Sequence, residues 1–301
     1  MLSETTQRMK GGLRLARWRT QNLGRVLEHR RSKRDDPGAS AIVGDLKREG
    51  IASRPSSELF GADAALFDAM NAAAQRLWDD AKSQVLEGRA PGVPGGSYGP
   101  RSPSKEYKIS LLPQQMAIES PFVQLALHER LLEPANRYLG MHALLRTIDL
   151  WWDRPTEGPD KETQLWHRDG DDVMNVKVFM YLNDVDISTG PFCFIPGTHP
   201  RGPMARLWPA HDAQGRSTDE QMEPAVARSQ WRVYTAPAGA VIICDTCGYH
   251  KGLKPTKRDR LMLMVQYTSG TPHYPRVLTV SGTASQHGLT PAQRAALGGT
   301  G

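Results

Sequence analysis

Apolar positions between residues 63 and 86 recur at a period near 3.6, so that Leu66, Phe67, Met70, Ala73, Ala74, Leu77, Trp78, Ala81 and Val85 share one wide face. The pattern predicts an amphipathic helix packed on a sheet. A shorter helix is predicted from Ala41-Ile42-Val43, with Gly50 as its stop, and residues 40–87 read as helical throughout. A third is predicted over Pro121–Leu139, with Ser120 as cap and Pro121 at its first position. Residues 88–104 are dense in Gly, Pro and Ser and read as an irregular loop.

From about residue 143 the texture changes. LLRTIDLWW, VMNVKVFMYL, PFCFIP, WRVYTA, AVIICD and RLMLMVQYT are short β-rich runs separated by Gly, Pro, Asn and Asp. Strands without alternating helices predict a sandwich or barrel, not a parallel βαβ sheet. Residues 199–229 are a long polar insertion, expected to lie over one mouth of that barrel. No apolar run approaches the roughly 18 residues of a membrane span, and residues 1–34 lack the apolar stretch of a secretory signal.

Composition changes this picture in one place. The 301 residues are 39% hydrophobic and 23% charged, which suits a globular core, and the formal net charge is +6. Ten of the 38 Lys and Arg lie in residues 1–34 against two of the 32 Asp and Glu. The remaining 28 bases and 30 acids leave the body near neutral, with no broad nucleic-acid surface. The basic charge therefore belongs to an N-terminal arm over residues 1–38, followed by one domain over 39–285 and a tail over 286–301. Leu13, Leu15, Trp18, Leu23, Val26 and Leu27 lie in the arm at roughly helical spacing. Such a helix can dock on the body, an anionic membrane or a nucleic acid. Three cysteines, Cys193, Cys244 and Cys247, make no disulfide framework and favour a cytoplasmic location, while the Arg-rich arm leaves organelle import open.

Candidate chemistry starts at Trp166-His167-Arg168-Asp169-Gly170. On a strand, residues i and i+2 project to one face, so His167 and Asp169 can converge on one metal. A neutral imidazole and a carboxylate suit a borderline divalent ion such as Fe(II). The apolar run Ala240–Cys244 leads to a third candidate ligand, His250, and Arg260 opens the next strand ten residues later. Two His and one carboxylate leave three adjacent positions open, two of which a 2-oxo acid can fill. Arg offers two parallel donors to that acid's distant carboxylate.

With Gly190-Pro-Phe-Cys-Phe-Ile-Pro-Gly-Thr-His199-Pro between them, His167-x-Asp169, Gly239–Asp245, His250 and Arg260 resemble the phytanoyl-CoA dioxygenase family over roughly residues 105–270. The resemblance implies a mainly β fold with flanking helices around a double-stranded β-helix, or jelly-roll, core. It implies an Fe(II)/2-oxoglutarate-dependent dioxygenase that consumes O2 and forms succinate and CO2. Carried over, His167, Asp169 and His250 match the iron ligands and Arg260 the clamp on the co-substrate's distal carboxylate. Arg258 is the rival for that clamp. Lys108 and Phe179 match positions that help bind the oxo acid, and Gly252 stands where some relatives place a hydroxyl residue. Asp169 occupies the position that halogenating relatives leave to halide, so the resemblance favours hydroxylation or another oxidation of a small organic molecule.

Other features read as structural. His199 is a turn residue, Cys244 and Cys247 are ordinary cysteines, and Trp151, Trp152 and Trp166 are core or pocket wall. Arg101, Lys105, Arg201 and Arg206 in the two loops are candidates for an anionic substrate group. Three alternatives stand beside the oxygenase: a cupin-like isomerase, which would not need Arg260, an oxygenase that grips nucleic acid through the arm, and a non-catalytic binding module with a vestigial site.

Overall fold

The computed structural model describes residues 4–32, 36–91, 107–282 and 288–299. Helices α1 (Glu4–Gln21), α2 (Leu23–Arg31) and α3 (Pro37–Glu49) lead into strand β1 (Ile51–Pro55), then α4 (Ser56–Phe60) and α5 (Ala64–Leu86). Strands β2 (Lys108–Ser110) and β3 (Gln115–Ala117) precede α6 (Pro121–Ala126), α7 (Glu129–Leu139) and the long β4 (Leu144–Asp153). Strands β5 (Val176–Tyr181) and β6 (Phe192–Phe194) follow, with α8 (Asp219–Met222) inside the polar insertion. The chain closes with β7 (Arg232–Tyr234), β8 (Ala240–Cys244), β9 (His250–Gly252), β10 (Arg260–Thr268), β11 (Thr279–Ser281) and α9 (Pro291–Ala296).

Six strands form one antiparallel sheet in the order β1-β8-β5-β10-β4-β2, and β7-β6-β9 form a smaller one. Strands β3 and β11 pair separately and in parallel. Alternation divides the large sheet between two cores. Leu150, Trp152, Val178, Met180, Ile243, Leu261 and Leu263 pack with the helices, including the expected α5 face at Phe67, Met70, Ala74 and Ala81. Trp151, Phe179, Tyr181, Ile242, Met262 and Met264 turn the other way and meet Phe192 and Phe194 of the small sheet. This second cluster is the jelly-roll interior, and the fold is the mainly β, double-stranded β-helix class with flanking helices.

Two expected helices differ from the structure. Residues 51–55 are not helical: β1 pairs with β8 at the sheet edge, Ile51 opposite Cys244. Gly50 at φ 83 does end α3, as its position predicts. The helix expected over 121–139 is two helices. His128 adopts an extended backbone between them, and its Nδ1 accepts from the Arg130 amide to cap α7.

Helices α1 and α2 lie on the body. Trp18 is buried and its Nε1 donates to Asp172 at 2.8 Å. The Asn22 side chain accepts from the Gly270 amide and donates to Thr271, both at 2.9 Å. Arg25 Nη1 donates to the carbonyls of His142 and Ala295, at 3.1 and 2.9 Å. Among the described residues no helix is long and apolar enough to cross a membrane.

Candidate metal centre

His167 and His250 face each other because their backbones pair, each amide donating to the other's carbonyl at 3.0 Å. Their ring centroids are 4.2 Å apart. The Asp169 amide donates to Thr246 at 2.9 Å, which brings its carboxylate to the same place. Oδ1 lies 3.8 Å from His167 Nε2 and Oδ2 lies 3.6 Å from His250 Nε2. One ligand atom from each of the three falls within 4.8 Å of the others.

The protonation states suit a metal. Nδ1 of His167 donates to Leu165 O, 2.8 Å away, and Nδ1 of His250 donates to Gly248 O at 3.0 Å. Both Nε2 lone pairs are thereby turned toward Asp169. Burial, with His250 close by, pushes the His167 imidazole down to about 3, and burial also lowers His250. Burial opposes ionisation of Asp169, but Lys177 and the two histidines outweigh it and hold the carboxyl below its usual range. Two neutral imidazoles, each oriented by a backbone carbonyl, and one carboxylate in contact with Lys177 fit a borderline divalent ion such as Fe(II).

Beside the trio lies a cavity of about 50 Å³, lined also by Lys108, Trp151, Thr163, Lys177, Phe179, Phe192, Gly252, Arg260 and Met262. Arg260 is buried and donates from Nε and Nη2 to Asp153 Oδ2 at 3.1 and 2.8 Å, and from Nη1 to the Gly190 carbonyl. Lys108 Nζ stands 3.7 Å from Asp153 Oδ1 and 4.0 Å above the Trp151 ring. Lys108, Arg260 and Asp153 together carry one surplus positive charge. Gly252 leaves room over the guanidinium, since a Cβ there would come within 3.2 Å of Arg260 Nη2. Arg258 instead pairs with Asp186 on the surface, both side chains more than half exposed, and does not line the cavity.

The expected residues Lys108 and Phe179 thus share one cavity with the trio and Arg260. Three charged residues were not singled out from the sequence. Asp153 bridges Arg260 and Lys108, Lys177 Nζ contacts Asp169 Oδ2 at 2.7 Å, and Asp171 lies 3.6 Å from the same amine. A usable signal existed for two of them. Lys177 is in strand phase with Phe179, and Asp153 is in phase with Trp151, so each charge falls on the cavity side.

Arg201 and Arg206 line a different cavity of about 860 Å³, together with Arg14, Arg168, Asp169 and Asp172. Arg101 and Lys105 lie outside the described residues. His199 is buried in its turn with Nε2 against Lys47 O at 3.2 Å, and does not join the trio. Cys244 and Cys247 are buried free thiols that burial pushes well above the usual range. Trp151 is pocket wall, while Trp152 and Trp166 donate to Asp259 and Asp219.

The family model for phytanoyl-CoA dioxygenase matches residues 105–260, just over half of the chain. Among solved structures, EctD from S. alaskensis with bound Fe is similar at a TM-score of 0.52, with 17% identity over 79% of this chain and 80% of that one. AviO1 from Streptomyces viridochromogenes Tue57 is similar at 0.49, with 17% identity over 80% of this chain and 100% of that one. The non-heme alpha ketoglutarate dependent epimerase SnoN from nogalamycin biosynthesis gives 0.49, with 14% identity over 81% and 87%. No curated protein matches the sequence.

Proposed function

The chain belongs to the phytanoyl-CoA dioxygenase family, whose enzymes use Fe(II), 2-oxoglutarate and O2, and on that premise we propose that it oxidises a C–H bond of a small organic molecule. For a hydroxylation, the substrate C–H, O2 and 2-oxoglutarate become the alcohol, succinate and CO2. His167, Asp169 and His250 would hold the iron, which when bound supplies the activation of O2. The convergence of these three side chains, in ligand-ready protonation states, beside a cavity lined by Arg260 carries this reading.

The other residues bind and shield. The surplus positive charge of Arg260, Lys108 and Asp153 matches one carboxylate, the distal group of 2-oxoglutarate. Asp153 engages Arg260 through Nε and Nη2, which fixes the plane of the guanidinium. Phe179, Trp151 and Phe192 wall the cavity with apolar surface and limit water beside the reacting groups. Asp169 occupies the carboxylate position, which favours oxidation over halide transfer.

Anaerobic titration of the Fe(II)-loaded protein with 2-oxoglutarate tests the proposal. A saturable visible charge-transfer band, absent in His167→Ala, is the expected result. Iron uptake without any such band would overturn it in favour of a jelly-roll metalloenzyme that needs no oxo acid.

A further inference from the structure

Lys177 occupies a place where a lysine is expensive. On β5 it continues the inward row of Phe179 and Tyr181, and its side chain is only 12% exposed. Opposite it in the sheet lie Gln266 and Cys244. Its amine meets Asp169 Oδ2 at 2.7 Å, and the next acid, Asp171, is farther away at 3.6 Å. Asp171 has partners of its own: Gln266 Nε2 donates to it at 2.8 Å, and Arg146 lies 3.6 Å away while donating to Gln266 at 2.8 Å. Lys177 is therefore committed chiefly to the carboxylate of the metal trio.

We infer that Lys177 is a positioning residue that holds one oxygen of Asp169, leaves the other to the metal, and biases bound iron toward the ferrous state. The inference rests on the metal reading above. A carboxylate with one oxygen engaged by an ammonium is restrained from taking two coordination positions, which keeps places open for the co-substrate and O2. The ammonium also draws electron density from the ligand. Its positive charge penalises the ferric ion more than the ferrous one, because Coulomb energy scales with the product of the charges. Both effects raise the potential of the one-electron ferric/ferrous couple.

The test is a mediated redox titration of the iron-loaded full chain, following the ferric signal by electron paramagnetic resonance, in wild type, Lys177→Met, Lys177→Gln and Lys177→Arg. The two neutral variants should shift the midpoint downward. A change of about tenfold in relative ferric affinity corresponds to about 59 mV for a one-electron couple. Lys177→Arg should restore the wild-type value. A merely structural lysine would alter unfolding temperature without this charge-dependent pattern. The inference is overturned if either neutral variant folds, takes up Fe(II) and keeps the wild-type midpoint. A wild-type chain that takes up no Fe(II) would overturn the metal reading and this inference together.

Discussion

Arg260 and Asp153 are buried as a pair, so removing one charge strands the other. Arg260→Ala should lose a charge-assisted clamp of roughly 1.5–3 kcal/mol, or about 10- to 150-fold in 2-oxoglutarate affinity. It should also destabilise the fold by about 3–5 kcal/mol through the unpaired carboxylate. Adding Asp153→Ala should recover much of the stability in denaturant unfolding without recovering the affinity in the anaerobic titration. If both recover together, Arg260 is a structural partner of Asp153 and not the clamp. For the trio, His167→Ala or Asp169→Ala should abolish stoichiometric Fe(II) uptake, measured by metal analysis, with far-UV circular dichroism unchanged. The trio was readable in the sequence because its residue types carry chemistry, although the expected strand under His167 and Asp169 is only an isolated bridge at His167. Asp153 and Lys177 showed only a strand phase with their cavity-side neighbours, because what such a charge does is decided by its pairing. The register that sets Arg260 opposite Asp153, and Asp153 opposite Lys108, joins segments far apart in the chain.

At the scale of elements, the strands and the long helix followed from periodicity, while β1 escaped it. Five residues squeezed between two helices are too few to show a period, and β1 exists because β8 offers it an edge. Turns hold the site as firmly as strands do. Gly190 at φ 79 sends its carbonyl to Arg260, and a Cβ there would meet the Leu253 carbonyl and come within 2.7 Å of Pro255 N. Gly190→Ala should cost at least about 1–3 kcal/mol of stability and weaken 2-oxoglutarate binding, seen in thermal unfolding and the same titration. The turn after β6 is pinned to the end of α3 by His199 and by the Gly197 amide, which donates to Glu49 at 2.8 Å. Burial pushes His199 down to about 4, below the roughly 6.5 of an unfolded chain. Between those values the unfolded state binds more protons, so this contribution is present above pH ~6.5 and lost as pH falls toward ~4. The unfolding temperature should drop over that window, and His199→Gln should flatten the slope.

For the whole molecule, the basic charge of the arm was plain in composition, yet its docking was not. The contacts that seat it join Trp18 to Asp172 and Asn22 to Gly270 and Thr271, pairings that no local pattern announces. Trp18→Ala should cost about 3–5 kcal/mol in denaturant unfolding and open residues 12–31 to protease. An unchanged midpoint would mean that the arm adds nothing to the stability of the body. Arg25 extends the same seam, reaching the carbonyls of both His142 and Ala295. Synthesis runs the other way along this seam. The arm leaves the ribosome before any of its partners, and the residues that Arg25 reaches follow it by 117 and 270 positions. Until those partners follow, a strongly basic segment with an unburied tryptophan waits for its seat, so this corner of the enzyme is made early and closed late.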